Sequence, residues 1–488
     1  MAFLLLIGSS LLSAADTRPN IVWVIPDDMS AHFSSYGETA IETPHLDRMV
    51  DEGLKFTRAF VTAPVCSTCR SAFITGMYQT AIGAHNHRSG RGELKIELPE
   101  HIKLIPQIFQ EAGYYTSVGR WPADPAKRGK TDYNFEWDQS VYDSGDWAGR
   151  APGQPFFAQI QTPGGKLRGS HPDAWQKIGD RAEKELGSRT QPSQVTLPPY
   201  YPDHPHIRQD WAAYLDSVRL TDAMLGEVLA RLNKEGVLEN TLVIFMTDHG
   251  ISHARGKQFM YDEGLHVPFV VRGPGVTAGT VREDLIEHID IAALSLGAAG
   301  IDIPDYMQAR DILADDYAPR DAAFAARDRC DETVDHMRSV RTERYKYIRN
   351  YLPRRPYLQP NAYKDAKAII IAMRDWHAQG RLDAAQSLIM AESRPPEELY
   401  DLVNDPYEIH NLATDPAHAA TLATLRGRLD SWVFTSNDLG REMESVAMFE
   451  SDMKVQLDKR TSASARNNTT DTFPANLDLM RKWRAEGK

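Results

Sequence analysis

Two compact apolar runs in the chain end in acidic residues. Residues 21–25 are followed by Pro-Asp-Asp, and residues 241–246 are followed by Thr-Asp-His-Gly. Short apolar runs of this kind are typical of strands buried on both faces of a parallel sheet. Because ligands bind beyond the carboxyl ends of such strands, we expect the two acidic tips to converge although they lie far apart in sequence.

Further apolar patterns extend this prediction to the whole fold. Residues 155–159 and 268–272 predict two more strands, and residues 211–234 carry apolar positions at helical spacing. From about residue 338 short strands and turns follow, with a helix near 419–432. We therefore expect an α/β fold, with a large, mixed but mostly parallel sheet sandwiched by helices and a smaller C-terminal antiparallel α+β subdomain.

Four segments are predicted along the 488 residues. They are a signal peptide at 1–15, a main domain at 17–335, a C-terminal subdomain at 336–450 and a polar tail at 451–488. The first segment has an apolar run followed by small residues, which indicates export to the periplasm or the medium, although a short buried strand or helix is the alternative. The polar composition of the last segment predicts partial disorder.

Charge and cysteine content narrow the function classes. A formal net charge of -12 argues against nucleic-acid and membrane-surface binding, so an anionic substrate requires a local basic site. One candidate is the basic run at 338–356, whose alternative interpretation is a solvated strand face. The three cysteines are too few for a multi-bridge framework, and Cys66-x-x-Cys69 has the spacing of a redox pair.

The two acidic tips predict a metal site. Asp27, Asp28 and Asp248 would repel one another unless a cation lay among them, and His249 adds a nitrogen ligand. Ligation by oxygen atoms favours calcium or magnesium. A helix N-cap is the alternative explanation for the Asp-Asp pair alone.

A second candidate site lies in the segment 63–76, which predicts a loop entering a helix. A group at Cys66 would lie near the positive end of that helix, which favours anions. Arg70, one helical turn further on, lies on the same side as Cys66.

These motifs resemble the sulfatase family, whose signature is Cys-x-Pro (or Ala)-x-Arg followed by Thr-Gly. The resemblance covers nearly the whole chain, including RPNIVWVIPDD, TPHLDRMVDEG, TGMYQT, GVLENTLVIFMTDHG and PEELYDLVNDPYEIHNLA. It implies an alkaline-phosphatase-like fold and oxidation of Cys66 to formylglycine by a maturation enzyme. The hydrated aldehyde then attacks sulfur. Thr68 replaces the usual Pro or Ala and Cys69 is an unusual next residue, so maturation of this variant motif requires a test.

The resemblance also assigns residue roles. The calcium ligands, with magnesium as the alternative ion, fall on Asp27, Asp28, Cys66 as formylglycine, Asp248 and His249. Arg70 orients the formylglycine, and Lys257 binds sulfate and assists the leaving group. The family's Lys-x-His is matched best by Lys130-Thr-Asp132, where Asp132 replaces the histidine and leaves the base of the second step open; the alternative match at residues 120–122 lacks any base.

Several substrate contacts are expected around this centre. A family histidine expected after the strand at 155–159 is matched most nearly by His171, with Lys166 as an equally plausible contact. His85 and His87 are interpreted as substrate or hydrogen-bonding residues, with metal binding or a solvated loop as alternatives.

Residues 336–350 resemble the heparan N-sulfatase (sulfamidase) branch of the family. On this basis Arg338 and Arg341 are expected to bind anionic groups of the sugar. We expect a hydrolase of sulfate esters or sulfamates on sulfated glycans, with N- or O-sulfated glucosamine favoured. The rivals are a phosphonate monoester or phosphodiester hydrolase of the same superfamily and an unmatured glycan-binding protein. The expected partners are a sulfated glycan and the maturation enzyme, without nucleic acid or membrane.

Overall fold

The computed structural model describes residues 18–467 and 471–488. The larger of its two sheets contains β1 (Asn20–Pro26), β2 (Leu54–Phe60), β3 (Tyr115–Arg120), β4 (Phe156–Thr162), β5 (Thr241–Met246), β6 (His266–Arg272), β7 (Thr280–Arg282) and β8 (Ile286–Glu287). The strand order is β3-β4-β1-β5-β6-β2-β7, and β8 also pairs with β2. Only β6 runs antiparallel to its neighbours, so the predicted mixed, mostly parallel sheet is confirmed.

The four strands predicted from apolar runs are all present in this sheet. Every residue of β1 and of β5 is buried, as expected of strands covered on both faces. On one face Trp23 of β1 donates from Nε1 to Ser295 Oγ at 2.8 Å and packs edge-on against Phe73. Burial on both faces explains why these strands appear in the sequence as continuous apolar runs.

Helices cover the sheet on both faces. They are α1 (Pro44–Asp51), α2 (Cys66–Phe73), α3 (Ile105–Glu111), α4 (Pro172–Leu186), α5 (Pro205–Lys234), α6 (Asp262–Leu265) and α7 (Asp290–Ala298). One group is formed by α1, α4 and α5, and another by α2 and α7. The predicted helix at 211–234 is confirmed as the greater part of α5.

A smaller antiparallel sheet follows, in the order β12-β11-β10-β9. Its strands are β9 (Ala323–Arg327), β10 (Met337–Arg341), β11 (Tyr345–Asn350) and β12 (Glu397–Asp401), and the neighbouring helices are α8 (Ala362–Asp365), α9 (Ala368–Ala378), α10 (Ala384–Ser387) and α11 (Ala419–Thr435). The predicted C-terminal α+β unit is thus confirmed. The boundary expected between residues 335 and 336 passes through its sheet, because β9 lies before it.

The predicted polar tail, residues 451–488, contains most of α12 (Val446–Asn467) and all of α13 (Phe473–Ala485). Phe449 and Met453 of α12 pack with Phe473 and Leu477 of α13 in a small buried apolar cluster. The apolar residues are spaced one helical turn apart, a pattern that the polar composition of the segment conceals.

The predicted signal peptide at 1–15 lies outside the described residues. Among residues 18–467 and 471–488, no helix combines the length and the apolar character needed to cross a membrane.

Candidate active site

The two acidic tips meet at one edge of the large sheet. Asp27 and Asp28 follow the body of β1, while Asp248 and His249 follow β5, the neighbouring parallel strand. The backbone N–H of Asp28 donates to Asp248 Oδ1 at 3.0 Å. All four residues are buried.

Cys66 is the first residue of α2 and is 2% exposed. Its Sγ lies 3.5 Å from Lys257 Nζ. The ligand atoms of Asp28, Cys66 and His249 all lie within 4.8 Å of one another. Burial would raise the pKa of the Cys66 thiol, but Lys130, Lys257 and Lys166 outweigh it and hold the pKa well below its usual range. Position 66 therefore strongly favours an anion.

Arg70 of α2 bridges the acids that follow β1 and β5. Its side chain is completely buried, and it donates to Asp27, to Gln161 Oε1 and, from Nε at 3.1 Å, to Asp248 Oδ2. Such charge-assisted bonds are the strong ones in a dry environment. Arg70 thereby fixes the carboxylates relative to the start of α2.

Three lysines surround the acids on the side of Cys66. Lys166 Nζ lies 2.7 Å from Asp27 Oδ2, Lys130 Nζ lies 3.2 Å from Asp27 Oδ1, and Lys257 Nζ lies 3.1 Å from Asp28 Oδ1. The side chains of Lys130 and Lys166 remain 26% and 33% exposed. They can therefore reach an incoming anion, whereas Lys257 is buried beside Cys66.

The acids and the imidazole fit a divalent cation. His249 Nδ1 lies 2.9 Å from the Gly250 carbonyl oxygen, which can only accept a hydrogen bond, so Nδ1 is the donor and Nε2 is directed at the acids. That Nε2 lies 3.0 Å from Asp28 Oδ1 without a hydrogen bond of good geometry. Burial lowers the pKa of His249, but Asp248 and Asp28 raise it to about 10. The carboxylates therefore demand a positive charge here, from a proton or a metal.

Asp132 of the Lys-x-Asp segment lies in an ion-pair network beside the centre. Asp132 accepts from Arg91 Nη2 at 3.1 Å and lies 3.6 Å from Lys130 Nζ. Burial raises the pKa of Asp132, but Lys130 and Arg91 outweigh it, so the net shift is downward. Asp132 is therefore ionised and lies close enough to Lys130 to orient its ammonium group.

Two predicted contacts lie elsewhere. Arg338 is buried between Asp438 Oδ2, at 2.6 Å, and Asp328 Oδ1, at 3.0 Å. Arg341 packs over the ring of Phe60 and pairs with Asp262. Neither arginine contacts the Cys66 cluster within the described residues, because each is paired with acids elsewhere.

The predicted histidines separate in the same way. His171 is an exposed residue that immediately precedes α4. His85 lies beside Arg338, where burial and that cation lower its pKa to about 4. Only His87 reaches the site, through a 2.7 Å hydrogen bond between its Nδ1 and Ser67 Oγ.

His87 also belongs to a second group of ligand-type side chains. Its ring, the Cys330 thiol and the Asp331 carboxylate are buried, with ligand atoms within 4.8 Å of one another. Arg88 and Lys257 already supply positive charge to Asp331. We therefore assign no metal to this group.

Two polar neighbours of the centre were missed by the sequence analysis. Gln161 near the end of β4 accepts from Arg70, and its position near a strand end was an available signal. Tyr363 in α8 approaches Asp28 Oδ2 with its hydroxyl at 3.4 Å, and Lys257 lies over its ring. No local pattern marks this tyrosine, because the smaller sheet's unit brings it to the site.

The fold has an alkaline-phosphatase-like architecture, and the charge arrangement fits a hydrolase of anionic esters. The chain belongs to the sulfatase family, because the sulfatase family model matches residues 19–301. Residues 249–365 match the model described as N-sulphoglucosamine sulphohydrolase, C-terminal. This second match confirms the predicted resemblance to the sulfamidase branch, and the protein is a sulfatase-type hydrolase.

Curated relatives agree with this assignment. An ulvan-active sulfatase of Formosa agariphila is 31% identical over 462 residues, covering 86% of this chain and 76% of its own. The N-sulphoglucosamine sulphohydrolase of Homo sapiens is 26% identical and covers 88% of this chain and 92% of its own.

Solved structures share the fold. One, determined in complex with its substrate D-glucosamine-2-N,6-O-disulfate, has a TM-score of 0.59 at 18% identity and covers 87% of this chain and 99% of its own. A phosphonate monoester hydrolase from Silicibacter pomeroyi also has a TM-score of 0.59 at 18% identity, covering 86% and 96%. Fold alone therefore does not separate the two reactions.

Proposed function

We propose that this sulfatase hydrolyses sulfate esters or sulfamates of sulfated glycans, using a formylglycine made from Cys66 and a bound divalent cation, with calcium preferred over magnesium. The observation that carries the proposal is the position of Cys66 at the start of α2, with Lys257 Nζ 3.5 Å from its Sγ and two further lysines nearby. Three cations around one buried nucleophile position suit a tetrahedral, singly charged sulfate group.

In this mechanism a formylglycine at position 66 supplies the nucleophile and the cation supplies positive charge to the transferred group. Lys130 and Lys166, partly exposed and hydrogen-bonded to Asp27, exchange that carboxylate for sulfate oxygens. Lys257 holds the group at position 66 and protonates or stabilises the leaving oxygen or nitrogen. Arg70 holds the carboxylates of Asp27 and Asp248 in fixed positions during both steps.

The base of the second step is open within this arrangement. Asp132 is paired with Lys130 and Arg91, so it acts through the lysine. His87, whose pKa is lowered by burial and then by Arg88 and Lys257, is neutral and able to accept a proton. We propose His87 as the candidate base. It is hydrogen-bonded to Ser67, the residue that directly follows position 66.

The names of the relatives support a glycan substrate. Those proteins act on ulvan, on N-sulphoglucosamine and on a glucosamine disulfate. We propose N- or O-sulfated glucosamine as the favoured unit and export as the cellular route. A phosphonate monoester hydrolase is the second candidate, because a structure of that class shares the fold equally well.

The test combines mass analysis with a substrate panel. Protein from a host with a maturation enzyme is digested, and the Cys66 peptide should have lost its sulfur. The panel contains N-sulfo, 6-O-sulfo and 2-O-sulfo glucosamine derivatives, a galactan sulfate, an aryl sulfate and an aryl phosphonate. Turnover of sulfated glucosamine with loss in Cys66→Ala supports the proposal. Preference for the phosphonate, or full activity with an intact thiol, refutes it.

A further inference from the structure

Arg88 is fixed beside the nucleophile position by its backbone. Its φ of 56° lies in the left-handed region, which residues other than glycine rarely adopt. Its N–H donates to the Oγ of Ser67 at 2.9 Å, and Ser67 directly follows Cys66. The start of the Arg88 side chain is therefore held next to the reacting group.

The other end of the loop is also anchored. The carboxylate of Asp452 in α12 is completely buried and accepts from the backbone N–H groups of residues 90, 91 and 92 at 3.2, 2.8 and 3.2 Å. Arg329 donates to the same carboxylate at 2.8 Å. Because both ends are fixed, Arg88 projects from a rigid support.

The guanidinium of Arg88 is by contrast largely uncommitted. Its side chain is 51% exposed. Within the described residues its hydrogen bonding is limited to one contact, from Nη1 to Asp331 Oδ1 at 3.5 Å. The remaining donors form a planar fork that matches the two oxygens of a carboxylate or sulfate.

A comparable arginine shows what a structural ion pair looks like in this protein. Arg344 is 53% exposed and pairs with Asp401, whose side chain is 6% exposed against 8% for Asp331. Arg344 makes three contacts of 2.8 to 3.2 Å, and the pKa of Asp401 falls to about 2, chiefly through this hydrogen bonding. Arg88 by contrast makes a single contact to Asp331, at 3.5 Å, so its guanidinium is held less closely than that of Arg344.

We propose that Arg88 binds a second anionic group of the glycan, a uronate carboxylate or an additional sulfate, while the reacting sulfate lies among the three lysines. Lys130, Lys166 and Lys257 all contact the acidic cluster, so they are assigned to the reacting group. Arg88 stands outside that set, on the neighbouring loop. This inference rests on the proposed function and adds a specificity-determining residue to it.

The principal variant is Arg88→Asn, because asparagine tolerates the left-handed backbone. Arg88→Lys keeps the charge without the fork, and Arg344→Asn is the matched control. Substrates are a glucosamine derivative with one sulfate, the same sugar with a second sulfate, and a disaccharide carrying a uronate. For the two doubly anionic substrates Arg88→Asn should raise KM about tenfold, while the KM of the singly sulfated sugar stays unchanged. Because Arg88 also lowers the pKa of His87, any change in kcat should be common to all three substrates. Arg88→Lys should lie between.

The two anionic sources are separated by which doubly anionic substrate loses affinity. Equal loss on all three substrates, or no loss on any, overturns the inference. Calorimetric binding of the same ligands to Cys66→Ala and to Cys66→Ala with Arg88→Asn gives the answer without turnover. If the wild type is inactive but ligand binding still depends on Arg88, the proposed function is refuted and this inference stands. If the wild type is active but ligand binding does not depend on Arg88, the inference alone is overturned.

Discussion

Two buried arginines lie between pairs of aspartates in this protein. Arg70 lies between Asp27 and Asp248 at the edge of the large sheet, and Arg338 lies between Asp328 and Asp438 in the C-terminal unit. Both are at most 1% exposed. The immediate contacts are alike, so the difference between a catalytic centre and a structural ion pair must lie in what surrounds them.

Around Arg70 further charge converges from separate elements. Three lysines, the imidazole of His249 and the start of α2 meet there, and two of the lysines are open to solvent. Around Arg338 the neighbours are two histidines whose pKa values burial lowers, His85 and His336, and both the arginine and its acids are buried. A cluster that holds excess charge at an accessible edge is suited to bind ions, whereas a closed one stabilises the fold.

The largest effect is expected from a variant that disrupts the cluster around Arg70. Asp248→Asn removes one carboxylate charge while keeping the size and an acceptor for the Asp28 N–H. We expect kcat/KM for an aryl sulfate to fall about a thousandfold or more, since both cation binding and the anchor of Arg70 are weakened. Metal analysis should show that divalent ion is lost from the purified protein. Retained metal together with full activity would remove Asp248 from the site.

The next variant disrupts the ion pairs around Arg338. Arg338→Ala leaves Asp438 and Asp328 buried without their cation, and loss of one partner from such a pair costs about 3–5 kcal/mol of unfolding free energy. Denaturant unfolding measures this loss. The folded fraction should keep its KM for sulfated glucosamine within about threefold. A large rise in KM with unchanged stability would instead restore the substrate role expected from sequence.

The contrast also shows what the sequence could reveal. Acids that directly follow an apolar run are placed at a sheet edge by the strand itself, so the convergence of Asp28 with Asp248 follows from topology. Cys66 and Arg70 are linked by one helical turn. The direction of the Arg338 side chain could not be predicted in this way. A strand residue faces solvent, the core or the site according to how its sheet packs, and a single sequence does not contain that information.

The same limit applies to the C-terminal helices and to the position of the loop at residues 88–92. The helices α12 and α13 bury few apolar residues, and composition alone suggested disorder. The buried carboxylate of Asp452 in α12 holds residues 90–92 of the loop, and no motif distinguishes it from the surface acids of the helix. Arg88 likewise acquires its position from Ser67, through tertiary contact.

The smallest predicted effect is a pH dependence that distinguishes the two clusters by stability. Arg338 is held by two contacts to Asp438, so Asp328 is the surplus acid, and its Oδ2 has no hydrogen-bond partner within the described residues. Burial raises the pKa of Asp328 to about 7, although Arg338 opposes the shift.

This pKa makes stability depend on pH. Between the unfolded-state pKa near 4 and about pH 7, the folded state binds more protons than the unfolded state. The unfolding free energy therefore falls as pH rises through that window and is level above it. Asp328→Asn cannot ionise, so its unfolding free energy should fall less between pH 5 and pH 8, by up to about 3 kcal/mol relative to the wild type. Urea unfolding at several pH values measures the difference. Parallel curves for the two proteins would show that Asp328 is ionised throughout, and the second cluster would then carry the same kind of excess charge as the first.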